Sequence, residues 1–320
     1  MMRVLLALWD TFTNPLFYKL TLTATTPLLF AALGGVFSEI TGVVNIALEG
    51  IMLLGAFFSV VVTYYTGNVW LGFLSVIPIG VGFVWFHAWA SIKWRGNQVV
   101  SGSALILIAQ GLTGFLMEPI FGQPGQTPYV GRIPEVTVPG LSKIPFLGEA
   151  IGTQSPIVYL AFALVLFAWV LIYKTPLGLR MRAVGENPEA ADTLGVNVFA
   201  IRYFGVLMSG ALAAMGGAFL SIGEVGNFRE LMTGGRGFIA LAAMILGNWN
   251  PIGALWACLL FGMSEALANQ LQSSPLLHVP ATAKPLFNLF PFIVTLVVVA
   301  GLVGKTRPPA ADGIPYEKEE

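Results

Sequence analysis

Residues 156–174 read PIVYLAFALVLFAWVLIYK, an apolar stretch whose single charged residue, Lys174, stands at its end. A helix needs roughly 20 such residues to cross about 30 Å of hydrocarbon. The stretch therefore predicts a membrane-spanning helix, and the fold is decided by how often such stretches recur on either side of it.

Seven further stretches of the same kind flank it along the chain, at 17–36, 43–65, 69–91, 98–117, 201–222, 250–270 and 286–304. The apolar stretch 237–247 is too short to cross and predicts a half-helix or re-entrant segment supported by neighbouring protein. We expect an all-α integral membrane protein, a polytopic helical bundle of about 8–10 transmembrane segments. The membrane domain is predicted to cover residues 1–304.

Composition agrees with a fold dissolved in lipid. Hydrophobic residues make up 56% of the chain and charged residues 10%, whereas soluble domains carry about 25% charged residues. The net charge is zero, so a nucleic acid partner is not expected. Cys258 has no second cysteine to pair with, and its apolar surroundings predict a packing role rather than a disulfide or metal ligand.

The positions of Lys and Arg predict the orientation. The loops 91–97 and 174–202 and the tail 305–320 carry positive charge close to span ends, which places them on the cytoplasmic side. The segment 118–155 is then exterior, and the N-terminus is exterior too if the half-helix completes a crossing. The exterior segment is a Gly- and Pro-rich loop suited to meeting another protein, and the tail is predicted to be solvated and disordered.

Two short strings of sequence suggest an internal repeat. IALEGIML at 46–53 is similar to IALAAMIL at 239–246, and each follows a Gly-rich break that contains a glutamate. In the predicted topology the two strings run in opposite directions. Opposed repeats with broken helices line the substrate path of many transporters, but apolar strings this short also match by chance.

The loop sequence GLRMRAVGENPEAADTLGVN at 178–197 predicts a short helix from 188 to 194. Asn187 can cap its first amides, Pro188 suits the first helical position and Gly195 can take the left-handed stop. A helix of this length is unstable alone in water. It therefore packs on its own chain as an ordinary amphipathic loop helix, or it inserts into a partner.

Three motifs resemble one family. Glu189, Ala190 and Ala191, followed after three residues by Gly195, resemble the signature with which permeases of ABC importers present a coupling helix to their ATPase subunits. AALGGVFSEITGVVNIALEG at 31–50 and GGRGFIALAAMILGNWNPIGA at 234–254 resemble signatures of the nucleoside and simple-sugar branch. The form SEITGVVNI at 38–46 is closer to the nucleoside permeases than to those for ribose or galactose.

The resemblance implies a transmembrane permease domain over residues 1–304 with a coupling loop at 178–197. It implies the following partners: an ABC ATPase subunit, a second permease subunit that is identical or paralogous, an exterior substrate-binding lipoprotein, a nucleoside or sugar, and membrane lipid. It implies a multi-pass protein of the bacterial inner membrane that is not itself an enzyme. The expected ATPase-coupling residues are Gly185, Glu186, Asn187, Pro188, Glu189, Ala190, Ala191 and Gly195.

Asn45 and Glu49 are the first candidates for the substrate path. They lie four residues apart, so both project from one helix face, and carboxylates deep in apolar segments usually face a cavity or a partner. Their oxygens could accept hydrogen bonds from a solute. Alternatively, Glu49 ties helices together.

The second break supplies the other path candidates. Gly235 permits a tight turn that leaves amides facing a ligand, and Asn248 beside Trp249 could read and stack on a nucleobase. Trp249 suits the membrane interface equally well. Glu265, near a span end, is expected to bond to a neighbouring helix.

Two other classes of function have less support in the sequence. An ion-coupled secondary transporter usually needs several buried charges, and these are sparse here. An intramembrane enzyme lacks support, because there is no HExxH pair and no pair of intramembrane aspartates. The chain has no GxxxxGK[ST] loop, so we expect no cofactor on it, with ATP and magnesium bound by partner subunits.

Overall fold

The computed structural model describes residues 2–275, 277, 280, 282–287, 289–301 and 306–318. Helices account for most of this part of the chain. In chain order they are α1 (Met2–Thr13), α2 (Pro15–Glu39), α3 (Leu48–Thr66), α4 (Val69–Ala88), α5 (Gln98–Phe121), α6 (Leu147–Ala150), α7 (Pro156–Lys174), α8 (Pro176–Glu186), α9 (Pro188–Thr193), α10 (Val198–Ala218), α11 (Arg236–Leu246), α12 (Pro251–Ser273), α13 (Lys284–Phe287) and α14 (Phe290–Gly301). Two of them continue as π-helical segments, α4 through Trp89–Lys93 and α10 through Phe219–Val225.

Within the described residues, seven helices are long and apolar enough to cross a membrane. They are α2, α3, α5, α7 and α12, together with α4 and α10, each of which is counted with its π-helical extension. Seven of the eight predicted spans are thereby confirmed as helices, and the predicted half-helix is α11, of 11 residues. The prediction of an eighth span at 286–304 includes residues 288 and 302–304, which lie outside the described part; its described residues belong to α13 and α14.

Burial divides the helices into a centre and a periphery. Along the most apolar 18 residues of α10 and its π-helical extension, 89% of the residues are buried inside the protein. The corresponding share is 28% in α4 with its extension and 28% in α5. Since all of these helices are apolar on every side, the buried ones contact protein and the exposed ones present their large side chains to lipid. The centre of the bundle is formed by α2, α3 and α10.

Small residues allow the central helices to approach closely. A Cβ at Gly34 would lie 2.9 Å from the carbonyl oxygen of Ser209 on α10, and one at Gly216 would lie 2.9 Å from that of Pro27 on α2. Close backbone approach at small residues is how helices associate in lipid, where there is little hydrophobic force between them.

Contacts also fix the relative directions of the helices. The pairs Gly34 with Ser209 and Gly216 with Pro27 make α2 and α10 antiparallel. Asn45 contacts Ser209, and a Cβ at Gly217 would meet Met52, so α3 runs in the same direction as α10. Met244 lies beside Gly35 and Trp249 bonds to Glu39, so α11 runs with α2. The similar strings at 46–53 and 239–246 therefore do run in opposite directions.

The two ends of the bundle are distinct. Lys19 at the start of α2 pairs with Glu135 at 2.8 Å, which puts the N-terminus of α2 at the same end as the loop 118–155; we name this the loop end. The loop contains a two-stranded antiparallel sheet, β1 (Val136–Thr137) with β2 (Thr153–Gln154). At the opposite end, Arg95 pairs with Glu317 and Lys318 with Asp192. The three basic segments thus meet at one end, named here the tail end.

The tail packs against the helices, contrary to the prediction from its sequence. We expected residues 305–320 to be disordered, but residues 306–318 pack across the tail end. Ala311 and Tyr316 are buried, the guanidinium of Arg202 lies 6.0 Å from the ring of Tyr316, and Arg202 donates to the carbonyl of Ile314 at 3.0 Å. The polar composition suggested solvation, but the buried charge of Arg202 gives the tail a partner that composition cannot show.

Candidate functional site

The coupling segment, residues 185–195, has the local geometry that its sequence predicts. Asn187 Oδ1 accepts a hydrogen bond from the Ala190 amide at 3.0 Å, and α9 begins at Pro188. Gly195 has a φ of 80°, the left-handed conformation that favours glycine. The helix ends at Thr193, one residue before the predicted end.

The two faces of the coupling segment differ. Gly185 and Ala191 are buried against the chain's own helices, so Ala191 faces inward. Glu186, Glu189 and Ala190 are exposed. The segment thus packs on its own chain with one face and leaves the other open, so the two alternatives left by the sequence are not exclusive.

Leu194 was missed by the sequence reasoning. Its side chain is 84% exposed, immediately before the left-handed Gly195. An isolated exposed leucine is ordinary, but this one follows the exposed Glu189 and Ala190 in the same short segment. An apolar residue directly before a helix-stopping glycine is the signal that could have found it.

The tail lies alongside the coupling segment. The Ala311 amide donates to the carbonyl of Gly185 at 2.8 Å, and the Ala310 amide to Glu186 Oε2 at 3.4 Å. A cleft of about 740 Å³ lies between residues 186–189 and the tail residues 310–311 and 314–318. The coupling segment and the tail therefore line one cleft.

Glu49 caps the half-helix α11. Its Oε1 accepts from the Gly235 amide at 2.8 Å and its Oε2 from the Gly237 amide at 2.6 Å. The first amides of a helix have no partner within it, and a carboxylate there also complements the helix dipole. This geometry corresponds to the second interpretation of Glu49, a tie between helices.

Asn45 is fully buried and lies in the break before α3, so the prediction that it shares a helix face with Glu49 is wrong. Its Nδ2 donates to Ser209 Oγ at 2.8 Å, and its Oδ1 accepts from the Ala47 amide at 3.0 Å. Both ends of the amide group are therefore used within the chain, where they hold the extended break before α3 against α10.

Asn248 and Trp249 lie at the other end of α11, away from Glu49. Trp249 is buried and donates through Nε1 to Glu39 Oε2 at 2.7 Å, so its ring lies neither at an exposed interface nor beside Glu49 and Gly235. Asn248 Oδ1 accepts from the Arg307 amide at 2.8 Å. The structure thus separates the five path candidates: Glu49 and Gly235 meet at the start of α11, Asn248 and Trp249 lie at its end, and Asn45 bonds to α10.

A polar cavity of about 350 Å³ opens beside the start of α11. Arg236 and Glu265 form an ion pair in it at 2.5 Å, with side chains 27% and 20% exposed. The expectation that Glu265 bonds to a neighbouring helix is confirmed, since Arg236 belongs to α11. The lining residues are Glu224, Gly234, Arg236, Ile239, Glu265, Ala268, Asn269, Pro291 and Phe292.

None of the five path candidates lines this cavity, although Gly235 adjoins it: a Cβ there would lie 3.8 Å from the Phe292 ring. Arg236 and Asn269 line the cavity but were not among the predicted site residues. The signal that could have found them is the charged Glu265 within the predicted span 250–270, since charged side chains within spans usually face a cavity or a partner. In the part of the chain that the structure describes, no group of three or more His, Cys, Asp or Glu residues could hold a metal ion.

Comparison with known proteins gives a consistent picture. Residues 18–299 match the family model described as the branched-chain amino acid transport system permease component. The chain is 43% identical to the nucleoside ABC transporter permease protein NupC of Lactococcus lactis, with 92% of this chain and 94% of the relative covered.

Two further relatives extend the comparison. The guanosine ABC transporter permease protein NupQ of Bacillus subtilis is 41% identical, with 93% of this chain and 95% of the relative covered. The putative glucose ABC transporter permease protein TsgC13 of Haloferax volcanii is 39% identical, over 90% and 91% respectively. No solved structure matches the chain.

Proposed function

We propose that this chain, which belongs to the family of branched-chain amino acid transport system permease components, is the membrane-spanning subunit of an ATP-driven importer of nucleosides. It is a transport component rather than an enzyme, as its relatives are. The family name refers to amino acids, but the relatives at 43% and 41% identity are named for nucleosides and guanosine, which is why we choose a nucleoside as the solute.

The observation that carries this proposal is the form of the coupling segment. It is a capped, glycine-terminated helix that is anchored on one face and open on the other. A helix of six residues does not hold its shape without support. Because the tail and α8 supply that support, the exposed Glu189, Ala190 and Leu194 form a rigid surface suited to a groove on an ATPase subunit.

The remaining partners follow from this role. ATP and magnesium belong to the ATPase subunits, a second permease subunit completes the path, and a substrate-binding lipoprotein delivers the nucleoside at the loop end. The tail end is then cytoplasmic, in agreement with its basic segments, and the membrane is the bacterial inner membrane.

A mechanical route leads from the coupling segment to the centre of the bundle. The tail bonds to Gly185 through Ala311 and to Asn248 at the end of α11 through Arg307. A movement of the coupling segment is thereby transmitted to the half-helix that borders the polar cavity. ATP hydrolysis on the partner subunits supplies the free energy, and a solute affinity that differs between the two resulting states lets the solute be released on the far side.

Glu189→Arg and Leu194→Ala test the coupling surface. Both variants should insert normally but bind the ATPase subunit weakly, because the first reverses a charge and the second removes the apolar projection. Co-purification of the ATPase subunit and ATP-dependent uptake are the measurements. Leu107→Ala, at a leucine 69% exposed on α5, is the matched control and should bind normally.

Normal ATPase association in both coupling variants would remove the docking role.

A glucose importer is the second candidate, favoured by the relative from Haloferax volcanii. Competition of labelled guanosine uptake by unlabelled nucleosides and by glucose separates the two substrates.

A further inference from the structure

We propose that the polar cavity is a nucleoside-recognition site within the permease, in which Glu265 and Asn269 receive the ribose hydroxyls and Phe292 contacts the base. This inference rests on the proposed function and adds to it the place and chemistry of solute binding. It is independent of the coupling segment, which lies at the tail end.

Charged side chains within spans are costly in lipid. Arg236 begins the half-helix and Glu265 lies within α12, a helix long and apolar enough to cross the membrane. Charged side chains within such helices almost always face a water-filled cavity or a partner. An ion pair that is partly exposed in such a place therefore faces the solute path rather than lipid.

The ion pair of the cavity is held in place. Arg236 donates to Glu265 Oε1 at 2.5 Å and also to the carbonyl of Thr233 at 3.3 Å. Asn269 follows Glu265 by four residues on α12, so both project from the same helix face. The bonds of Glu49 to Gly235 and Gly237 fix the backbone from which Arg236 extends. Preorganised polar groups of this kind set the orientation of a bound solute.

The walls of the cavity are partly apolar. Ile239, Pro291 and Phe292 line it together with the ion pair. The cavity, at about 350 Å³, falls within the range of about 300–1,000 Å³ typical of small-molecule sites, which combine apolar walls with a few polar groups. An aromatic ring in the same cavity as hydroxyl-binding groups suits a solute with one planar and one polyhydroxylated part.

The charges favour an uncharged solute. Glu224, the third charged residue of the lining, disfavours an anionic solute. Arg236 and Glu265 neutralise each other, so neither of them has to be neutralised by the ligand. A zwitterionic amino acid would have to break their contact to use both charges, and the two separated charges would then each need a ligand group. A nucleoside instead adds hydrogen bonds to the existing pair.

The test uses the whole transporter in vesicles, with this chain, its partner permease, the ATPase subunits and the binding protein. Uptake of labelled guanosine and labelled 2′-deoxyguanosine is measured against concentration. The variants are Asn269→Ala, Glu265→Gln and Phe292→Ala. Gln270→Ala, one residue along α12, and Phe115→Ala, at an exposed phenylalanine on α5, are the matched controls.

We expect Asn269→Ala and Glu265→Gln to raise the half-saturating guanosine concentration about 3- to 10-fold, the size of one lost hydrogen bond, and to reduce the preference for guanosine over its 2′-deoxy analogue. Phe292→Ala should weaken both solutes equally, because it removes a contact with the base. A purely structural role would lower the rate without changing the preference between the two solutes.

A second measurement does not depend on transport rates. The thiol of Asn269→Cys should react with a small water-soluble maleimide, and guanosine should slow that reaction, whereas leucine should not. The native Cys258 is buried and contributes little background. Wild-type half-saturation and preference in all three variants, or no protection by guanosine, overturns the inference. A wild-type transporter that imports glucose but no nucleoside overturns the proposed function instead.

Discussion

Gly237 leaves the space through which Glu49 reaches the half-helix. A Cβ at this position would overlap the backbone of Glu49 and lie 2.8 Å from its Oε2. Backbone atoms cannot move aside as a flexible side chain can, so the position requires glycine. A single absent side chain thus permits the cap that fixes the start of α11.

We predict that Gly237→Ala lowers the free energy of unfolding by about 1–3 kcal/mol, the usual cost of overpacking. Thermal unfolding of the purified protein in detergent measures this as a lower midpoint. Gly82→Ala on α4 is the control, because no atom lies within 4 Å of a Cβ built there. Equal midpoints for the two variants would show that the contact between Gly237 and Glu49 is not tight.

At the scale of elements, the tail is held by a group whose charge depends on pH. Burial, as the largest cause, raises the pKa of Asp312 from an ordinary value of 3.8 to about 7. Arg202 opposes this rise by attraction, and Glu39 and Tyr316 are the other ionisable groups packed around the same site. The docked tail therefore binds a proton more tightly than the released tail does.

The sign of the pH effect follows from linkage. A carboxyl with a raised pKa in the docked state favours docking at low pH, and this contribution is lost as the pH rises from about 4 to about 7. Hydrogen exchange of the amides of residues 310–316, corrected for intrinsic rates, should show protection that falls between pH 5.5 and pH 7.5. Asp312→Asn should remove that dependence; an equal fall in the variant would assign it to another group.

At the scale of the whole molecule, the proposed function makes this chain a transport pathway driven by a partner subunit. The described residues provide a broken half-helix, a cavity beside it and an open coupling surface, and the sequence contains no phosphate-binding loop. Charged residues inside spans are few, and Arg236 and Glu265 are paired with each other. This arrangement suits a subunit driven by a partner rather than an ion-coupled carrier.

Purified alone in vesicles, the polypeptide should therefore not accumulate guanosine when a proton or sodium gradient is imposed. Uptake should begin only when the ATPase subunits, the second permease and the binding protein are added with ATP. Vesicles containing the complete transporter without ATP are the control. Concentrative uptake by the chain alone would identify a secondary transporter.

Part of this structure could be predicted from the sequence because it depends on local properties. The length of an apolar stretch determines whether a helix can span the bilayer, so the spans at 156–174 and elsewhere were predictable, as was the half-helix α11. The capping of α9 by Asn187 and its stop at Gly195 involve neighbours in the chain. The sequence also predicted that the basic segments lie at one end of the bundle, because the positions of Lys and Arg relative to the span ends can be read directly from it.

The tertiary structure alone decided which polar side chains meet. Glu49 bonds to amides 186 and 188 residues away, and Trp249 bonds to Glu39 across 210 residues; no local pattern specifies such pairs. The cavity around Arg236 and Glu265 and the docking of the tail on Arg202 arise in the same way. In lipid, each buried polar group must find a partner within the protein, and which partner it finds is settled only when the helices have packed.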